Sequence, residues 1–190
     1  MRLADALACL LLAAAWAAAA TLTAAYDSFF LLTFFLTAFF LYLSAALTQK
    51  KGSGLLTAFA AGLLLINGAS VAGPGAYKLL LFMGAGAVFE LLCLLKGRIS
   101  PATGSFVAAA FLPSMLWTLS GTSNLSALAD LTAAACLAGG LGTLAGLLLW
   151  ENVAHTKAII RFQVAGTAPA KIRGHIRKRN AANAFYKRRQ

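Results

Sequence analysis

Six apolar stretches, each close to the length that crosses a bilayer, constrain this chain more than any other feature. They occupy residues 3–25, 29–47, 55–72, 76–95, 102–120 and 125–150. A helix rises 1.5 Å per residue and bilayer hydrocarbon is about 30 Å thick, so about 20 apolar residues make one crossing. The stretches are continuous and rich in Ala and Leu rather than alternating, which argues for helices and against strands. Between them stand Tyr26-Asp27-Ser28, Gln49-Lys50-Lys51-Gly52-Ser53-Gly54, Gly73-Pro74-Gly75, Lys96-Gly97-Arg98 and Gly121-Thr122-Ser123-Asn124. Clusters of Gly, Pro, Ser and charge of this kind end helices. The expected fold is all-α: a polytopic membrane bundle of about six transmembrane helices over residues 1–150, followed by a basic cytoplasmic or interfacial tail over 151–190.

Composition closes off the soluble alternative. The chain is 61% hydrophobic and 11% charged, whereas soluble domains carry about 25% charged residues. Sixteen Lys/Arg and five Asp/Glu cannot cover a water-facing surface of this size. The apolar stretch after Met1-Arg2 is longer than the 7–15-residue core of a secretory leader, so the first crossing is expected to be retained.

Basic residues near the ends of membrane helices stay on the cytoplasmic side. With six crossings, Arg2, Lys50, Lys51, Lys96, Arg98 and ten basic residues after Trp150 share one side, and only Lys78 falls on the other. Both termini are therefore expected in the cytoplasm of a multi-pass cell-membrane protein. The tail interleaves its charge with Ile159, Ile160, Phe162, Ile172, Ile176, Phe185 and Tyr186. That pattern suits a shallow contact with membrane lipids, and no nucleic-acid-reading module accompanies the charge.

Catalytic patterns are lacking: there is no phosphate-binding G-x-x-x-x-G-K-[ST], no H-E-x-x-H and no G-x-S-x-G. Cys9, Cys93 and Cys136 fall inside apolar stretches at no ligand spacing, and His155 and His175 both lie in the tail. Neither set points to a metal or a disulfide frame. No enzyme activity, metal or cofactor is expected in this chain; binding or transport is.

Ionisable groups within apolar stretches are costly and are the first candidates for function. Glu90 lies two-thirds along the fourth stretch, as an internal ion pair with Arg98 or Arg2 or as a coupling residue. On the opposite side, Asp27, Lys78 and Asp130 could converge with Asn67, Tyr77, Trp117 and Asn124 on a small-molecule site. Small residues four apart let helices approach closely. Ala13-x-x-x-Ala17 and Ala14-x-x-x-Ala18 in the first stretch, and Gly142-x-x-x-Gly146 in the last, serve either the bundle's own packing or docking of another subunit.

Three further segments carry a family resemblance: Lys50-Lys51-Gly52-Ser53-Gly54-Leu55-Leu56; Gly84-Ala85-Gly86-Ala87-Val88-Phe89-Glu90-Leu91-Leu92; and Gly139-Gly140-Leu141-Gly142-Thr143-Leu144-Ala145-Gly146, continuing through Lys157-Ala158-Ile159-Ile160-Arg161-Phe162 to Ala165-Gly166. With these segments the chain resembles a substrate-binding (S) subunit of the energy-coupling-factor (ECF) type ABC transporters over residues 1–166. The resemblance implies high-affinity binding of a vitamin or micronutrient. It also implies a transmembrane coupling subunit, two ATPases acting in trans, and docking through Ala13, Ala14, Ala17 and Ala18. The basic extension beyond Gly166 departs from the family's usual ending and implies an added lipid or partner contact. A structural or accessory membrane protein, and a self-sufficient channel or permease, are the alternative classes.

Overall fold

The computed structural model describes residues 2–24, 26, 30–66, 76–95, 100–120, 125–156, 158–160 and 162–163. Among the described residues the structure is helical, without strands. Six helices follow one another: α1 (Leu3–Thr23), α2 (Leu31–Thr48), α3 (Ser53–Leu65), α4 (Ala76–Leu94), α5 (Pro101–Ser120) and α6 (Leu125–Val153). Of these, α1, α2, α4 and α6 are long and apolar enough to cross a membrane, and α5 has 20 residues. The third stretch differs from its expected bounds. Helix α3 begins at Ser53 and has 13 residues, a rise of about 20 Å, and residues 67–75 lie outside the described part.

Local chemistry explains where helices start and stop. The Asp5 carboxylate accepts the Arg2 backbone N–H at 3.0 Å, tying down the start of α1. Gln49 ends α2 in the left-handed region, φ 52°, its N–H donating to the Ala45 carbonyl at 2.8 Å. Gly52 then opens α3 at φ 85°, a conformation that glycine adopts without Cβ strain. Two left-handed residues so close together reverse the chain within Gln49-Lys50-Lys51-Gly52.

Helices α2 and α3 hold the bundle together: half of α2 is buried, and more than half of α3. Helix α2 touches α1, α3 and α5, while α1 packs on α3, α3 on α4, and α4 on α5. Trp16 of α1 is fully buried, stacked on Phe40 at 5.8 Å and edge-on to Phe82 at 5.1 Å. One ring thereby ties α1 to α2 and α4. Elsewhere the helices meet where side chains are missing. A Cβ at Gly142 of α6 would run into the Phe35 carbonyl of α2, and one at Gly86 of α4 would meet Ala58 and the Leu55 backbone of α3. Such contact gains dispersion energy without needing water to drive it. Between α5 and α6 the buried hydroxyls of Ser105 and Thr143 share a hydrogen bond of 3.2 Å.

The outer surface has the opposite character. On α6 the inner face is Ala135, Ala138, Gly139, Gly142, Thr143 and Gly146, while Leu137, Leu141, Leu144 and Leu148 are exposed. The chain divides into two compact units, Met1–Asn152 and Val153–Gln190. All six helices, apart from the last residue of α6, belong to the first. In the second unit residues 158–160 are helical.

Candidate functional site

Polar chemistry in the first unit gathers around α3, at both of its ends. A helix N-terminus leaves backbone N–H groups without intrahelical partners and carries partial positive charge. At α3 those groups meet Glu90 of α4: Oε2 accepts the Gly52 N–H and Oε1 the Gly54 N–H, each at 2.8 Å. Glycine at position 54 lets α4 approach this closely, because a Cβ there would collide with the Phe89 ring. The other end of α3 presents carbonyls and partial negative charge. There the buried Lys78, also on α4, donates from Nζ to the Leu65 carbonyl at 3.3 Å.

Beside Glu90 lies a cavity of about 490 Å³, within the roughly 300–1,000 Å³ range of small-molecule sites. It is formed where α2 and α4 end, α3 and α5 begin, and the last turns of α6 close one side. Tyr42, Phe89, Pro101, Leu147 and Trp150 give it apolar walls; Gln49, Lys50, Lys51, Glu90 and Ser100 give it polar groups. Lys50 and Lys51 are exposed. Ser53 also lines the cavity; its hydroxyl is buried and makes no hydrogen bond.

The residues singled out in the sequence separate into groups. Glu90 takes backbone partners the sequence reading did not anticipate, and Arg98 lies outside the described residues. Of the seven candidate solute contacts, Asp27, Asn67 and Asn124 also lie outside them. Tyr77 and Asp130 are exposed, Trp117 is half-buried, and Lys78 is engaged with Leu65. Of the alanines on α1, Ala13 and Ala17 are buried in the bundle whereas Ala14 and Ala18 are exposed. The cysteines are unpaired, Cys9 buried and Cys93 and Cys136 half-buried. Among the described residues no group of three His, Cys, Asp or Glu could hold a metal ion.

Two features escaped the sequence reading. Gly54, Ala58 and Gly62 form a four-residue repeat of small residues on α3 that receives α4, with Gly86 opposite Ala58. Their spacing was a readable signal. The cavity had none, since it depends on how five helices meet. No protein-family model, curated protein or solved structure matches the chain.

Proposed function

We propose that this chain is a six-crossing membrane subunit that binds a small solute, of the vitamin or micronutrient class, for uptake energised in trans by partner ATPases. In this reading both termini lie in the cytoplasm, and a transmembrane coupling subunit links the chain to the ATPases, as in the ECF importers that its sequence resembles. The inverted surface supports membrane residence: leucines face outward while glycine, alanine and aromatic rings face inward. Partnership in trans is supported chiefly by α1. Its row Ala13/Ala17 is used inside the bundle, and the adjacent row Ala14/Ala18 is left uncovered. An uncovered small-residue row is the surface another membrane helix can approach closely.

Native mass spectrometry of the full chain, purified in mild detergent from its own membranes, tests this directly. A complex containing another membrane subunit and two ATPase copies is expected, with a small solute retained by the chain. Ion current from the chain reconstituted alone, with no such complex, would replace the importer reading with the channel.

A further inference from the structure

We infer that the cavity beside Glu90 is a headgroup site for an anionic phospholipid. The inference rests on the membrane reading above, and not on the identity of any transported solute. Its charge balance comes first. Lys50 and Lys51 bring two positive charges, while the one carboxylate in the lining, Glu90, already faces two backbone N–H donors. The cavity therefore favours an anion, and lysine ammonium groups bind phosphate as point charges.

Its position comes second. The cavity lies among helix ends, which the membrane reading sets at headgroup level, and Tyr42 and Trp150 line it. Amphipathic rings of this kind prefer that level. Basic pockets between membrane helices on the cytoplasmic side are a recurrent way of holding anionic headgroups. Its continuation into apolar surface comes third. Cys93 and Leu147 line the cavity, and the next residue on each helix, Leu94 and Leu148, is exposed. A headgroup in the cavity can leave its acyl chains along these leucines, an arrangement a fully water-soluble anion would not use.

The test is thermal unfolding of the full chain in neutral detergent, titrated with phosphatidylglycerol or phosphatidylcholine. Phosphatidylglycerol is expected to raise Tm by several degrees and phosphatidylcholine is not. The pair Lys50→Gln/Lys51→Gln should lose most of that rise. Ala102→Phe and, separately, Leu147→Trp fill the cavity while keeping both lysines, and each should weaken the phosphatidylglycerol response at least tenfold. Two independent filling variants, each checked for helicity before heating, guard against one failing to fold. If both respond to phosphatidylglycerol as the parent does, charge at the surface and not the cavity is responsible, and the inference is overturned. It is equally overturned if phosphatidylcholine matches phosphatidylglycerol, or if millimolar glycerol phosphate reproduces the whole effect. Extraction of the chain from membranes without detergent is read separately, and would remove the membrane reading itself.

Discussion

Lys78 and Glu90 stand twelve residues apart on α4 and hold opposite ends of α3, the lysine on the Leu65 carbonyl and the carboxylate on the Gly52 and Gly54 N–H groups. Twelve residues advance a helix by about 18 Å, close to the length of α3. Each charge faces the pole of the α3 dipole that it complements. A helix of 13 residues is marginal by itself, and its terminal N–H and C=O groups would otherwise be costly in an apolar surrounding. The antiparallel neighbour supplies both caps.

The first prediction concerns these caps. Glu90→Ala should destabilise the chain by about 1.5–3 kcal/mol, the range for hydrogen bonds to a charged group. Glu90→Gln should cost less, because its carbonyl oxygen still accepts one N–H. Lys78→Met should cost about 1–2 kcal/mol by leaving the Leu65 carbonyl unmet. The two sites are a helix length apart, so the double variant Lys78→Met/Glu90→Ala should equal the sum within about 0.5 kcal/mol. Unfolding in mixed micelles, followed by helicity, measures all four; strong coupling between the sites would mean that α3 does not separate them as described.

The second prediction uses glycines that look alike in sequence. Gly140 and Gly142 both lie on α6, but a Cβ at Gly142 would collide with the Phe35 carbonyl while one at Gly140 would sit 3.7 Å from the Phe106 ring. Gly142→Ala should therefore cost about 1–3 kcal/mol through forced separation of α6 from α2. Gly140→Ala should be neutral or stabilise by up to about 1 kcal/mol, because alanine is the better helix former. The same unfolding assay separates them, and equal effects would contradict the close α2–α6 approach.

Those two glycines show where sequence reading ends. Apolar run length located the helices because it reflects local chain chemistry, and α4 is found within one residue of its expected end. The start of α3 shifted because Gly52 in the left-handed region admits Ser53 and Gly54 to the helix. Glu90 was legible as a costly charge but its partners were not, being backbone N–H groups 36 and 38 positions away that no residue type announces. Lys50 and Lys51 stand out in the sequence only as a basic turn; that they border a cavity follows only from the meeting of α2 through α6.

Alanine rows on α1 give the third prediction. Ala13 and Ala17 touch the core and Ala14 and Ala18 do not, so enlarging each pair has a different consequence. Ala13→Leu/Ala17→Leu should overpack the α1 contacts, costing about 1–3 kcal/mol per site. Ala14→Leu/Ala18→Leu should leave unfolding within about 0.5 kcal/mol of the parent and abolish co-purification of the proposed coupling subunit. Retention of that subunit by the Ala14→Leu/Ala18→Leu variant would show that docking uses another face.

The last prediction is the sidedness of the charges. Of sixteen basic residues, Lys78 alone falls on the predicted outer side. It is buried against Leu65, so it acts as a helix cap and not as an exposed topology charge. In a background with Cys9, Cys93 and Cys136 replaced by Ala, single cysteines are placed at exposed Tyr26, at exposed Lys51, and at Ala182 in the tail. A membrane-impermeant maleimide added to intact cells should label Tyr26→Cys alone. Lys51→Cys and Ala182→Cys should react only after permeabilisation. Adding Lys78→Met should leave that pattern unchanged, because removing a charge already hidden from both compartments alters no balance of loops. Labelling of Lys51→Cys and Ala182→Cys from opposite sides would break the even number of crossings between them and, with it, the shared basic face on which the importer reading depends.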